Sequence, residues 1–464
     1  MKSRSKAGMP SDPTGAAPTF RRGRSLSILL IVALASASAL ITWLNLRGDH
    51  QGPTPTVLQP GPQQAEALIS RGRELALLGN CAGCHTTPGG AAYAGGSALL
   101  TPFGTVYGGN LTPDPETGLG QWTSQDFWRA LHNGRSRNGR LLNPAFPYEN
   151  FSHIRRKDSD ALYAYLQSLP PARQAAPRAN LRFPANTQAG LAIWRALHFH
   201  PQEPSTPIAM PRGEYLSRGV AHCSACHATR NTLGAQSATH DFSGQLMPNG
   251  RAYAPPLPPQ GRTDVGAWTV EDLTAYLKTG HSRQGAALGL MAEVVVGSTQ
   301  HVPAESLEEM ATWILSRPSA AKANPPPTRA HAQPAPPSAT LPTSSPNNNR
   351  NITPTGPLMA LGERLYADHC ATCHGQEGQG VPGLYPPLAG SPRVARDPAT
   401  NLIRVIQEGG FGPATEGHPR PFGMPPFGHV LQAQEVAAVA TFVRRQWNGA
   451  SLAEVTPLEV LKHR

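Results

Sequence analysis

Apolar residues recur at three- and four-residue intervals in six short stretches, and those stretches form three pairs. Each pair predicts an opening helix and a closing helix. The opening members are AEALISRGRELALLGN, PRGEYLSRGVAH and LMALGERLYADH, and the closing members are DSDALYAYLQSLP, PAESLEEMATWILSRP and QAQEVAAVATFVRRQW. A seventh apolar stretch is of another kind: the 22 residues SLSILLIVALASASALITWLNL carry no charge, and Lys2, Arg4, Lys6, Arg21, Arg22 and Arg24 precede them. That length spans a bilayer as a helix, and the cationic flank places the N-terminus in the cytoplasm. A retained anchor is expected, because the run continues past the small-residue sites around Ala37 to Trp43. The alternative is a cleaved signal peptide.

The same short motif stands after each opening helix. Cys81-Ala-Gly-Cys84-His85, Cys223-Ser-Ala-Cys226-His227 and Cys370-Ala-Thr-Cys373-His374 use all six cysteines of the chain. C-x-x-C-H is the attachment signal for c-type haem. Residues at i and i+3 share a helix face, so both thiols reach the vinyl groups of one porphyrin, and the next residue supplies the proximal imidazole. Zinc needs four ligands close together, whereas these motifs stand about 145 residues apart. A thioredoxin-like pair explains neither the histidine nor the three copies. With a haem between two terminal helices, each unit has the layout of a class I cytochrome c. The fold expected is mostly α, with three tandem cytochrome c domains after an N-terminal transmembrane or signal helix.

The domain plan is a basic cytoplasmic segment (1–24), the anchor or signal (25–46), a first domain (65–170), a connecting segment (171–210), a second domain (211–317), a linker (318–357) and a third domain (358–450). Eleven of the forty linker residues are proline, which predicts an extended, semi-rigid spacer with the third domain hanging apart from the others. The connecting segment carries LAIWRALHFH, expected either to pack on a neighbouring domain or to meet a membrane or partner. Composition now reads differently. The apolar fraction of 39% is low and Gly and Pro number 46 and 49, but porphyrin supplies core that side chains do not. The formal charge of +11 is spread between the anchor flank and positions offsetting haem propionates, and no basic helix points to nucleic acid.

A low-spin haem needs a sixth ligand, most often Met. Met291 in GLMAEVV and Met424 in FGMPPFG are the distal candidates of the second and third domains. Met247 and Met310 are rivals in the second, with Met310 inside the closing helix and read as core. The first domain has no methionine. GQWTSQDFWRALHNGRSRNG aligns with GAWTVEDLTAYLKTGHSRQG, pairing Trp122 with Trp268 and Gly134 with Gly280, and Phe146 then falls within one residue of Met291. Phe cannot ligate iron. The first iron is therefore either five-coordinate or ligated by His132 or His153, with Met210 a weaker option. No catalytic constellation is evident, and LTPDPETG reads as a turn.

The chain resembles the three-haem cytochrome c subunits of membrane-bound periplasmic dehydrogenases that oxidise alcohols, gluconate, sorbitol and related sugars. TPFGTVYGGNLTPDPETGLGQW, PAFPY, ALYAYLQSLPP, LRFPANTQAGLAIW, HCSACHATRNTLGA, GLMAEVVVGSTQH and HCATCHGQEGQGVPGLYPPLAGSP carry the resemblance over about residues 65 to 450. It implies that Met291 and Met424 are distal ligands. Phe146 departs from the family's P-A-M-P-Y, and Gln188 stands where the family has Arg. The implied role is electron relay, not catalysis: a flavin-dependent or quinoprotein partner oxidises an alcohol, polyol, sugar acid or aldehyde, and three haems c pass electrons to ubiquinone or a terminal oxidase. The expected location is the inner membrane, with the haem domains on the periplasmic face. The rival functions are a cytochrome subunit of a molybdenum hydroxylase and a haem enzyme using an open iron in the first domain.

Overall fold

A computed structural model describes residues 21–46, 61–202, 210–236, 242–248, 250–259, 266–318 and 356–463. The chain divides into two compact units, Met1–Arg47 and Gly48–Arg464. The first contains one helix, Arg21–Leu46, whose segment Ser27–Leu46 is long and apolar enough to cross a membrane. Its side chains from Ile28 to Leu34 are exposed.

The second compact unit contains three helix crossings of one kind. Pro62–Leu78 crosses Arg156–Gln167, Arg212–Val220 crosses Ala304–Ser316, and Pro357–His369 crosses Ala433–Asn448. Each crossing turns on a glycine of the opening helix. A Cβ on Gly72 would stand 1.9 Å from the Ala161 carbonyl oxygen, one on Gly213 2.0 Å from that of Glu309, and one on Gly362 2.4 Å from that of Ala438. The backbones approach too closely for any side chain. An aromatic residue one turn further along the closing helix, Tyr165, Trp313 or Phe442, packs on the same glycine. The second opening helix differs in its register: Tyr215–Val220 is a π-turn, a local widening of the kind found at functional sites.

The first two crossings share one hydrophobic core. Leu75, Leu78, Ile154 and Leu162 of the first lie in the same cluster as Tyr215, Leu216, Leu307, Met310 and Ile314 of the second. Polar bonds stitch the seam. Buried Asn150 donates to the Arg218 carbonyl (2.8 Å) and the Ser224 hydroxyl (2.7 Å) and accepts from Gln236 (3.0 Å). The Tyr215 hydroxyl donates to Asp158 (2.6 Å), and the Ser298 hydroxyl donates to the Leu78 carbonyl (3.0 Å).

The third crossing has its own core, built on Tyr366, Ile403, Val436, Val439 and Phe442. It does not hang apart. Asn401 makes paired bonds with the backbone of Tyr253, both 2.8 Å. Arg393 donates to the Ala286 carbonyl (2.9 Å) and lies over the Tyr276 ring. His281 and His418 pack ring to ring at 3.9 Å. The expectation of a detached third domain is thus corrected. Proline content sets the stiffness of a tether but not the fit of the surfaces at its ends, and most of the linker, 319–355, lies outside the described residues.

Of the connecting segment, Gln188–His198 forms a helix capped by Thr187. It packs rather than standing free: Gln188 bonds both backbone groups of Leu141, Trp194 donates to the Leu233 carbonyl, and buried Arg195 lies over Tyr148 and Phe199. Ile193 and Leu197, one turn apart, remain exposed.

Candidate haem sites

Each C-x-x-C-H forms a short helical turn immediately after an opening helix. The turns are Cys81–His85, Ser224–His227 and Ala371–His374. In the second and third, the histidine N–H closes onto the carbonyl of the first cysteine at 2.9 Å. This curl puts both thiols on one face. Five of the six cysteines are half-buried and Cys226 is exposed, and burial pushes the Cys81 and Cys223 thiols up to about 12 and that of Cys370 to about 11.

The three histidines share one environment. Nδ1 of His85 pairs with the Gly109 carbonyl at 2.6 Å, that of His227 with the Pro255 carbonyl at 2.6 Å, and that of His374 with the Pro386 carbonyl at 2.9 Å. A carbonyl only accepts, so the proton sits on Nδ1 and the lone pair on Nε2 is left for a metal. Such a bond orients a ligating imidazole and raises its basicity. Burial lowers all three histidine pKa values, which keeps the rings neutral. Among the described residues no group of three or more His, Cys, Asp or Glu is arranged to hold a metal ion by itself. The donor set at each site is thus one imidazole beside two thiols, which suits a covalent haem in which thioethers use the sulfurs.

The distal candidates lie within or just beyond a similar run of elements. Each crossing with the segments around its C-x-x-C-H motif forms the first, second or third unit, and in each a helix (Ser124–Asn133, Val270–Thr279 or Thr400–Glu408) ends at a positive-φ glycine, Gly134, Gly280 or Gly409. An antiparallel turn or hairpin comes next: Arg135 pairs with Leu141, His281–Ser282 with Gly285–Ala286, and Gly410–Phe411 with Gly423–Met424. Met424 thus lies on a hairpin strand and Met291 opens the helix Leu290–Gly297; both are half-buried against apolar clusters. Phe146 occupies a turn after its hairpin, half-buried, its ring 5.2 Å from that of Phe151. Met310 is core, 1% exposed. Met247 lies in the turn of the hairpin Gln245–Ala254.

His132 and His153 are engaged elsewhere. His132 stacks on Trp128 at 4.6 Å with Nδ1 3.0 Å from Asn133. Its counterpart by the alignment, Lys278, binds the Gln300 and Val302 carbonyls ahead of the closing helix. His153 lies against Gly219 of the second opening helix.

Sequence reasoning missed the crossing glycines and the carbonyl partners of the proximal histidines. The glycines had a signal: each stands eight to ten residues before the first cysteine of its motif. The carbonyls had none, since any residue supplies one. Also missed was the closeness of the first two motifs. Nε2 of His222, the residue before Cys223, is 3.1 Å from the Gly79 carbonyl beside Cys81. After burial, the charge of Cys226 is the next influence raising the Cys84 thiol.

A cytochrome c family model matches residues 69–170 and 359–447. The cytochrome c subunit of alcohol dehydrogenase (quinone) from Gluconacetobacter polyoxogenes is 33% identical over 88% of this chain and 86% of its own length. The gluconate 2-dehydrogenase cytochrome c subunit of Pantoea cypripedii is 34% identical over 86% of this chain and 90% of its own. A nicotinate dehydrogenase subunit of Pseudomonas putida is 35% identical over 94% of this chain, which spans 35% of that longer protein. Covalently bound haem c follows from the family match, and the protein belongs to the family of dehydrogenase cytochrome c subunits.

Proposed function

We propose that the chain carries three haems c and relays electrons from a partner dehydrogenase to ubiquinone or a terminal oxidase. Cys81 and Cys84, Cys223 and Cys226, and Cys370 and Cys373 form the thioethers, and His85, His227 and His374 supply the proximal imidazoles. Met291 and Met424 close the second and third irons. The domains run over 65–170, 211–317 and 358–450. The haem, when bound, supplies one-electron exchange between ferric and ferrous iron; the protein sets its position and its surroundings. The observation that carries this reading is the threefold recurrence of an Nδ1-to-carbonyl bond next to a C-x-x-C turn.

The donor is an alcohol, polyol, sugar acid or aldehyde, oxidised at a flavin or quinone cofactor of the partner. The alcohol and gluconate dehydrogenase relatives support this choice. The helix Arg21–Leu46 holds the chain in the inner membrane, and the cationic flank sends the haem domains to the periplasmic face. A second reading has support of its own. The match to the nicotinate dehydrogenase subunit runs over 94% of this chain, which favours a molybdenum hydroxylase acting on an N-heterocycle or aldehyde. Copurifying the complex from membranes decides between them. The first reading expects a flavin or quinone in the largest subunit, with haem reduction on adding an alcohol or sugar acid. Molybdenum in that subunit would select the second. Fewer than three haems per chain by pyridine haemochrome would overturn the relay as stated.

A further inference from the structure

The first two units are built on one plan and differ at one distal position. The alignment that pairs Trp122 with Trp268 and Gly134 with Gly280 brings Phe146 to the place of Met291. The structure keeps the correspondence: each residue comes after a glycine-ended helix and an antiparallel turn, and each is half-buried against the shared core. A thioether sulfur offers iron a lone pair, and a phenyl ring has none to offer.

The substitutes that the sequence raises lie in other places. His132 corresponds to Lys278, whose ammonium reaches the segment ahead of the closing helix and not the Met291 position. The His132 ring is stacked on Trp128, and Arg156 of the closing helix lies over the same indole. His153 corresponds to Ser298–Thr299, and Ser298 reaches across the seam to Leu78 just as His153 lies against Gly219. Both mark the contact between units. Met210 stands two residues ahead of the second opening helix, whose far end at Val220 approaches Gly79. Nine residues of helix, about 13 Å at a rise of about 1.5 Å per residue, separate Met210 from that end. Phe146 itself has a neighbour that fixes it: its ring meets Phe151, and Phe151 meets His222 edge-on at 5.5 Å.

We propose that the sixth position of the first haem iron has no protein ligand and that Phe146 covers it, so that it accepts a small neutral diatomic molecule such as carbon monoxide or nitric oxide. This rests on the three-haem reading above. The chain thus joins two closed electron-transfer haems to one open haem.

The test uses the full-length, haem-loaded protein. Pyridine haemochrome first counts the haems, which examines the three-haem reading separately. Titrating dithionite-reduced protein with carbon monoxide should then give one molecule bound per three haems, and the oxidised protein should show one high-spin ferric signal by EPR. Phe146→Met should abolish both. Phe146→Ala should keep both and admit imidazole, because removing the ring leaves a cavity. Three haems that are all low-spin and bind no carbon monoxide would overturn the proposal, whichever residue supplied the ligand. So would carbon monoxide binding that persists unchanged in a folded, three-haem Phe146→Met protein.

Discussion

The seam between the first and second helix crossings and the seam between the second and third are built from different materials. The first is a shared hydrophobic core with a buried asparagine at its centre. The second joins two separate cores through side-chain bonds to backbone groups, an arginine over aromatic rings and a pair of histidines. Buried apolar area resists separation in proportion to its extent, whereas surface-grade polar contacts contribute little net energy. The first two candidate sites therefore belong to one cooperative body, and the third belongs to a module docked on it.

The crossing glycines offer the largest perturbation of this contrast. Valine at Gly72 would drive a side chain into the Ala161 carbonyl, and valine at Gly362 would do the same at Ala438. Overpacking of this kind costs about 1–3 kcal/mol or more. The Gly362→Val protein should lose one haem of three and keep the other two in a protease-resistant fragment. The Gly72→Val protein should lose two, because the first and second units share a core. Haem counts and the size of the surviving fragment read the difference; loss of a single haem in both variants would dissolve the distinction between the seams.

Met291→Ala acts on chemistry rather than on folding. On the ligation proposed above, it gives the second unit a distal position without a donor, as Phe146 does in the first. Carbon monoxide bound per chain should rise from one to two while the haem count stays at three. Cutting a half-buried methionine back to alanine also costs stability, up to about 2–5 kcal/mol for a fully buried one, so the stoichiometry is read on protein whose haem content and melting are first checked.

Much of this was legible in the sequence, and the reason is local. A C-x-x-C-H motif is a contiguous chemical signature, and amphipathic spacing reports the face a helix buries. Phe146 could be singled out because Trp122 and Gly134 keep register with Trp268 and Gly280 up to the distal residue. What was illegible depends on backbone atoms and on surfaces far apart in the chain. The carbonyls of Gly109, Pro255 and Pro386 lie 24, 28 and 12 residues beyond their histidines, so no fixed spacing marks them. The docking of the third unit rests on Asn401 meeting the Tyr253 backbone across 148 residues, and a proline-rich linker says nothing about that.

Asn150 tests the first seam directly. Its amide serves Arg218, Ser224 and Gln236 at once, and alanine would leave the buried Gln236 amide and the Arg218 carbonyl without this partner. A buried polar group deprived of its bond costs about 1–3 kcal/mol. Asn150→Ala should lower the urea midpoint of the transition reported by the first two units and leave that of the third in place. A common shift of both transitions would mean that the second seam is as cooperative as the first.

The smallest effect belongs to the histidine pair of the second seam. His281 and His418 pack at 3.9 Å, and both Nε2 atoms are buried with no hydrogen-bond partner among the described residues. Burial, and after it the neighbouring His418, lowers the pKa of His281. The docked state therefore binds fewer protons than the separated one. Docking is fully supported above the ordinary histidine value of about 6.5 and weakens as pH falls through it toward the lowered value. Arg393, bonded to Ala286 on the hairpin that carries His281, adds positive charge to the same seam, so protonation meets a cation rather than relief. Hydrogen exchange in the hairpin 281–286 should quicken between pH 7.5 and 5.5, with the seam between the first two units unaffected. The double change His281→Phe and His418→Phe should remove that dependence while keeping the ring contact. If exchange in the hairpin is as pH-sensitive without the histidines as with them, the weakness of the second seam lies in its polar bonds and not in this pair.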